Sequence, residues 1–353
     1  MLLESFGNRL RTIRENIGIS QLKLSELTGV MRDQISRIEN GQINPTLETV
    51  YKLSTALETP LSDLFDFSID DNIVFKQYKI KPFVKWAGGK TQLLDKIKEL
   101  MPKEYGTYYE PFLGGGAVFL NLTPNKAVVA DYNSELTSAF SSFKNSNDYQ
   151  TMIAELIKHE ENHNEDYYYK IREMDRDKNY SELSVPIKAA RLIYLNKSCF
   201  NGLYRVNSKG YFNVPSGKKE VVKAYQPELF DDLHEYLSNP NITILSGDFE
   251  KAVETAKKGD FVYFDPPYDT FDEQDNFTTY TKDSFGKEEQ MRLSNVFKQL
   301  DKKGVYIMLS NHNTDFINEL YGEFNIEVVH ARRNINSKGS GRGTVEEVII
   351  TNY

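Results

Sequence analysis

The sequence predicts an α/β domain preceded by a small all-helical domain. Three observations carry this. Apolar residues recur at helical spacing from Phe6 to Phe65. From about residue 80, short apolar runs of strand length alternate with helical patterns. Two of those runs end in turns built for a purpose, Gly114-Gly115-Gly116 and Asp265-Pro266-Pro267-Tyr268. The chain has 353 residues, which favours two domains, and its 39% hydrophobic content is enough for a sizeable core. Met1 to Leu10 holds no continuous apolar run, so no secretory signal is expected. No apolar stretch is long enough to span a membrane. The single cysteine, Cys199, excludes an intrachain disulfide and fits a reducing cytoplasm. One Cys and five His offer no ligand set for zinc, so no metal is expected.

In the first domain, Phe6, Leu10 and Ile13 share a helical face. Ser20 is placed to cap a second helix carrying Leu24 and Leu27, with Gly29 in the turn after it. Ile35 and Ile38 mark a third helix, ended by Asn40-Gly41. Pro45 breaks the chain, and Leu47, Val50, Leu53 and Leu57 then resume the period, followed by Leu61, Leu64 and Phe65. Helix, glycine turn, helix is the pattern of a DNA reader. The run from Ser20-Gln21 through Leu24-Ser25-Glu26-Leu27-Thr28-Gly29-Val30, Ile35-Ser36-Arg37-Ile38-Glu39-Asn40-Gly41 and Asn44-Pro45 closely resembles the Cro/repressor helix-turn-helix family. Met31 stands where that family often has a capping Ser. Arg32, Gln34 and Arg37 fall at the start and along the exposed side of the recognition helix, where side chains reach base edges. Residues 1–66 carry seven Lys/Arg against nine Asp/Glu, so a helical protein-interaction module is the alternative reading. Residues 67–79 are polar and aperiodic and read as a linker, and residues 80–353 as the second domain.

That domain opens with Phe83-Val84-Lys85-Trp86-Ala87-Gly88-Gly89-Lys90-Thr91. Gly89-Lys90-Thr91 suggests a P-loop, but the first glycine of a Walker A motif would fall at Phe83 or Val84, so ATP binding by this loop is rejected. In Tyr109-Glu110-Pro111-Phe112-Leu113-Gly114-Gly115-Gly116 a strand runs into a glycine turn, where backbone can approach a ligand closely. The third glycine of a dinucleotide fingerprint would fall at Phe119, which disfavours NAD. Asp131 ends the apolar strand Ala127-Val128-Val129-Ala130, placed to accept hydrogen bonds from two ribose hydroxyls. A glycine loop with a strand-tip acid suits an adenosyl ligand without phosphates, and S-adenosylmethionine fits.

As a strand predicted over Tyr108–Phe112 leads into the glycine turn, one predicted over Phe261–Asp265 leads into Asp265-Pro266-Pro267-Tyr268. An amino group conjugated into adenine is a poor nucleophile. Acceptors on its hydrogens, the Asp265 carboxylate and the Pro266 carbonyl, would localise its lone pair during transfer of a methyl group. Tyr268 supplies a ring to stack on the base.

Together these stretches resemble the Dam-type (D12 class) adenine-N6 DNA methyltransferases, relatives of which serve in restriction–modification systems. The resemblance covers roughly residues 81–353. It implies a Rossmann-like S-adenosylmethionine-dependent methyltransferase sheet with a target-recognition insert at about 140–235. It also implies Trp86, Lys90, Asp131 and Asp265 as contacts of the cofactor, with Phe112 near its adenine ring and Gly114 in the cofactor loop. The partner is double-stranded DNA. Asn201-Gly202-Leu203-Tyr204-Arg205 resembles the segment by which that family reads sites beginning GAT, so Arg205 is expected on a guanine edge. Leu203 and Pro215 would meet a thymine methyl, and Lys85 a guanine. Phe200 stands where the family often has an intercalating Tyr. Tyr211 and Phe212 are expected in the core.

Net charge is −8, but basic residues cluster. Lys197, Arg205, Lys209, Lys218, Lys219 and Lys223 face one acid, Glu220, between positions 196 and 224. Arg332, Arg333, Lys338 and Arg342 cluster at the glycine-rich turn of a C-terminal hairpin, and Arg332, Arg333 and Arg342 are candidate phosphate contacts. Two alternatives stand beside this reading: a cytosine-N4 methyltransferase, whose tetrapeptide usually begins with Ser, and a transcription regulator with a cofactor-sensing domain.

Overall fold

The computed structural model describes residues 2–65, 78, 80–269, 285–332 and 344–353. The chain forms two compact units, Met1–Gln77 and Tyr78–Tyr353. Most of the expected linker lies outside the described residues.

The first unit is all helical: α1 (Leu2–Ile17), α2 (Gln21–Thr28), α3 (Arg32–Glu39), α4 (Leu47–Ala56) and α5 (Leu61–Leu64). Ser20 caps α2 by accepting the amide of Lys23 at 3.1 Å, and Gly29 closes it with φ of 70°. Helix α3 starts at Met31 without a side-chain cap, as the missing Ser predicts. Phe6, Leu10, Leu24, Ile35, Ile38, Val50, Leu53, Leu57 and Leu64 form the core. Leu27 and Leu47 do not join it: they are 54% and 85% exposed, because they sit in the last and first turns of their helices, past the edge of the packed surface. One contact was not legible from periodicity. Glu39 is fully buried and takes a two-pronged ion pair from Arg14, at 2.6 and 2.9 Å, plus the Gln21 amide at 2.8 Å. It binds α1, α2 and α3 through one carboxylate, and removing one partner of such a pair typically costs about 3–5 kcal/mol. Arg32 and Arg37 are exposed and Gln34 is partly so, on the side of α3 opposite Ile35 and Ile38.

The second unit is built on a seven-stranded sheet of order β3-β2-β1-β4-β5-β7-β6. The strands are β1 (Tyr108–Glu110), β2 (Ala127–Asp131), β3 (Ile242–Ser246), β4 (Phe261–Phe264), β5 (Tyr306–His312), β6 (Asn325–Arg332) and β7 (Thr344–Thr351). The first five pair in parallel. Strand β7 runs antiparallel between β5 and β6, which is the expected C-terminal hairpin. Sequence reading carried β1 to Phe112 and β4 to Asp265. Both stop earlier, before Pro111 and Pro266, which have no N–H to give a ladder. Side chains alternate between two cores. Phe261 and Tyr263 enter one, Val262 and Phe264 the other, so both faces of the sheet are covered.

Ten helices decorate the described part of this unit. Helix α6 (Leu94–Leu100) precedes β1, and α7 (Ala117–Leu122) links β1 to β2. Between β2 and β3 lie α8 (Ser134–Ser142), α9 (Ser146–Glu161), α10 (Glu165–Glu173), α11 (Val185–Ser198) and α12 (Pro227–Leu237). Then come α13 (Phe249–Ala252), α14 (Lys287–Lys302) and α15 (Asp315–Tyr321). Among the described residues no helix is long and apolar enough to cross a membrane. The connections from β1 run outward through β2 to β3, and the chain then returns to β4 on the other side of β1. The tips of β1 and β4 therefore flank a switch point, where open α/β sheets leave a crevice.

Candidate active site

The crevice is a cavity of about 550 Å³. Its lining includes Lys85 to Thr91, Glu110, Gly114, Gly115, Asp265 and the loop 201–204. At its centre Lys90 Nζ lies 2.8 Å from Asp265 Oδ1 and also donates to the Gly88 carbonyl at 2.7 Å. Asp265 Oδ1 is shielded from solvent. Burial pushes the Asp265 carboxyl up to about 6, held back by the Lys90 charge and raised further by Glu347. Glu110, at the tip of β1, is buried and accepts the Tyr108 hydroxyl at 2.6 Å. Burial lifts it to about 8, against that hydrogen bond and with the Asp265 charge adding to the rise. At neutral pH the pair therefore divides its roles: Asp265 is ionised and Glu110 carries a proton.

The glycine turn supplies the floor. Gly114 and Gly116 adopt φ of 50° and 72°, and a Cβ on Gly114 would meet Trp86 Cδ1 at 3.2 Å. Asp131 holds this turn from behind, accepting the Gly114 amide on one oxygen and the Asn133 amide on the other, each at 2.8 Å. Each oxygen keeps acceptor capacity for a further donor. Asp131 does not line the cavity, and neither does Phe112, which stacks on Phe249 at 5.3 Å and meets Phe285 edge-on.

The loop after β4 is held by a buried polar lattice. Asn311, fully buried on β5, accepts the Asp269 amide at 2.9 Å, and its own amide donates to Gln290 of α14 at 3.2 Å. Gln290 donates to the Pro267 carbonyl at 2.9 Å. Thr314 donates to the Asp269 carboxylate at 2.7 Å and His312 to its carbonyl at 2.5 Å. The Tyr268 ring, expected to be open for stacking, is engaged. Lys90 Nζ sits 4.5 Å from its centroid, His312 lies edge-on at 4.9 Å, and its hydroxyl donates to Glu347 of β7 at 3.0 Å. Its electron-rich face attracts the nearby ammonium.

The segment from Cys199 to Gly217 is not a regular hairpin. It makes only isolated bridges, Cys199 to Ser216 and Val206 to Phe212. Asn196, on α11, clasps it to the first motif, and Tyr204 stacks on Trp86 at 4.9 Å. Phe212 is buried as expected, whereas Tyr211 is half-buried with the Arg176 guanidinium 5.8 Å from its ring. Phe200 is 53% exposed, and Asn201, Arg205, Pro215 and Lys85 are also exposed, with Leu203 between them and the cavity wall. Arg205 Nε donates to Asn213 Oδ1 at 2.7 Å, which orients its guanidinium. Burial and the charges of Lys85, Lys81 and Lys219 press Lys197 down to about 8, so four lysines crowd one surface. Arg332 ends β6, while Arg333 and Arg342 lie outside the described residues.

Residues 86–335 match the model of the D12 class N6 adenine-specific DNA methyltransferases. The chain is 47% identical over 274 residues to the Type II methyltransferase M1.LlaDCHI of Lactococcus lactis subsp. cremoris, spanning 78% of this chain and 96% of that one. It is 34% identical over 273 residues to the DNA adenine methylase of Escherichia coli strain K12, spanning 77% and 95%. The chain belongs to the D12 class of N6 adenine-specific DNA methyltransferases. Residues 10–64 match a helix-turn-helix model, so this methyltransferase carries a second DNA-binding type of domain. Over 18% of its length it also aligns, at 41% identity and a TM-score of 0.18, with 96% of the restriction-modification controller protein C.AhdI from Aeromonas hydrophila.

For a D12 methyltransferase, the structure brings Trp86, Lys90, Gly114 and Asp265 to one cavity with Asn201 and Leu203. Sequence reading missed Glu110, Asn196, Gln290, Asn311 and Glu347. Glu110 alone carried a signal, since it stands at a strand tip directly before the glycine turn. The lattice generates a prediction. Asn311→Ala strips the Asp269 amide of its acceptor and Gln290 of its partner, at a typical cost of about 1–3 kcal/mol. DNA methylation should slow at least tenfold while circular dichroism stays native. Wild-type turnover in the folded variant would show that the loop stands without the lattice.

Proposed function

We propose that this chain transfers a methyl group from S-adenosylmethionine to N6 of adenine in a GATC or other GAT-containing duplex site, in the cytoplasm, as the modifying half of a restriction–modification system. The observation that carries the reading is the Lys90–Asp265 pair at 2.8 Å in a cavity that the glycine turn and the loop 201–204 also line. The strand order and switch point support a Rossmann-like S-adenosylmethionine-dependent sheet, with about 140–235 as its recognition insert.

The residues present suit that cofactor. The floor of Gly114 and Gly115 against Trp86 suits close backbone approach, the half-used carboxylate of Asp131 suits ribose hydroxyls, and Lys90 suits a carboxylate. Phe112 would reach the cofactor's adenine ring from beside the cavity. When bound, S-adenosylmethionine supplies an electrophilic methyl group on a sulfonium. The protein's part is to make the target amine a nucleophile. Asp265 and the Pro266 carbonyl accept the two N6 hydrogens, the nitrogen lone pair is freed for attack, and the proton it then sheds passes to Asp265. A duplex buries that amine in a base pair, so the base must leave the stack to reach the cavity. Tyr268 must then exchange its Lys90 contact for the base.

Reading of the site falls to Arg205 and Lys85 on guanine and to Leu203 and Pro215 on the thymine methyl, with Phe200 as wedge and Asn201 beside it. Lys81, Lys197 and Lys219 supply phosphate contacts, joined by Arg332, Arg333 and Arg342. The helix-turn-helix unit is assigned to a separate operator, through Arg32, Gln34 and Arg37, controlling this gene or that of a partner endonuclease.

Three tests follow from these roles. The pH profile of kcat/KM should fall off on the acid side near pH 6, as Asp265 is protonated. Asp265→Ala should cost roughly a hundred- to a thousandfold. Lys90→Gln removes the charge that holds the Asp265 carboxyl down, so the limb should move to higher pH; an unmoved limb assigns it to another group. Mapping modified adenines across a host genome should find them in GAT contexts. Arg205→Ala should lose about 1–3 kcal/mol of discrimination at the guanine, and wild-type modification spread outside GAT refutes the assignment. Removing residues 1–66 should leave rate and methylation motif unchanged and abolish a promoter footprint. Uniformly weaker binding to all DNA would instead make the unit a tether.

A further inference from the structure

We propose, resting on the reading of the cavity as the cofactor site, that Asn196 locks the cofactor wall to the base-reading loop, so that cofactor occupancy and recognition of the DNA site reinforce each other. Asn196 is 1% exposed on the last turn of α11. Its side-chain oxygen accepts the Lys85 amide at 2.8 Å, and its nitrogen donates to the Lys85 carbonyl at 2.9 Å and the Gly202 carbonyl at 3.0 Å. The amide thus grips Lys85 by both its backbone groups, as a paired strand would, and spends its remaining donor on the loop. Every hydrogen bond of its side chain goes to one of two neighbouring segments that line the cavity.

The contact admits little slippage. Gly202 sits at φ of 69°, and a Cβ there would meet Lys85 Cδ at 2.6 Å and the Asn196 carbonyl at 3.3 Å. A second tie runs parallel to the first: Trp86, next to Lys85, stacks on Tyr204, next to Leu203 and Arg205. Tyr204 in turn meets Phe212 edge-on at 5.7 Å, and Phe212 precedes Asn213, which orients Arg205. A ligand that settles Trp86 and the backbone of 85–89 therefore settles Leu203 and Arg205 through buried bonds. Conversely, bases that draw Leu203 and Arg205 into place settle the cofactor wall. Coupling of this kind is reciprocal, and its usual size is ~5- to 150-fold. Asn196 acts here as a positioning residue, because it touches neither ligand.

The test uses the full chain and S-adenosylhomocysteine as probe. Its dissociation constant is measured by calorimetry alone, with a duplex carrying one GATC, and with the same duplex scrambled. Duplex affinity is then measured with and without the probe. Wild type should bind the probe ~5- to 150-fold more tightly beside GATC than beside the scrambled site, and the duplex should gain the same factor from the probe. Asn196→Ala should bring both factors close to one while the probe still binds. General loosening of the fold would weaken each affinity yet leave their ratio. Should Asn196→Ala fail to fold, the parallel tie decides: Tyr204→Phe keeps the stack and should keep the factor, and Tyr204→Leu should lose it. A wild-type factor of one, or a full factor in both Asn196→Ala and Tyr204→Leu, overturns the proposal while leaving the cofactor reading intact. Failure of the wild type to bind the probe at all would bring down the cofactor reading, and the coupling with it.

Discussion

The ion pair between Lys90 and Asp265 is the constraint on which the site is built. A carboxylate moved out of water is costly by several kcal/mol unless a partner offsets the loss. Here the offset is one buried ammonium, 2.8 Å away and otherwise tied to the Gly88 carbonyl. One consequence follows. The first motif, Lys85 to Thr91, must lie against the end of β4, which closes the cavity on that side. Glu110 also keeps its proton, chiefly because it is buried at the tip of β1, with the Asp265 charge adding to the rise. The division between a charged and a neutral carboxyl thus follows from burial of both groups with the single cation placed against Asp265.

The same economy explains the lattice behind the loop. Two prolines after Asp265 remove two backbone donors, and the loop cannot pair as a strand. Its remaining groups are taken up by side chains from β5, α14 and β7, namely Asn311, Gln290 and Glu347. Buried polar groups of this kind hold one conformation when all are satisfied. The loop is therefore firm on its inner side, while Asp265 at its start lines the cavity.

Much of this was legible in the sequence, and the pattern of what was not is physical. Helical and strand periods located the elements, because periodicity reports burial of a face. The errors fell at ends: Leu27 and Leu47 keep the period but lie in terminal turns, and β1 and β4 stop before prolines. The strand-tip carboxylates and glycine turn could be read because their residue types are rare in combination. Asn196, Asn311 and Gln290 could not. Each is a single polar residue whose partner is distant in the chain, as Asn196 is from Lys85 and Asn311 from Asp269, and no spacing records such a bond. Tyr268 was read for its ring alone, whereas the fold gives its hydroxyl to Glu347 and its face to Lys90.

The acidic net charge of −8 looks at first like an obstacle to a DNA enzyme. Charge arrangement resolves it. Burial presses Lys197 down to about 8, and repulsion from the nearby Lys85, Lys81 and Lys219 adds to the fall. Assembling like charges costs free energy in the absence of a counter-charge, and that cost is released when a phosphate arrives. The attraction is then local and short in reach, since salt screens fields beyond about 8–10 Å. Beside that cluster stand Arg205, which is exposed, and Leu203, which lines the cavity. These are the groups whose backbone Asn196 and Tyr204 tie to the wall of the cavity.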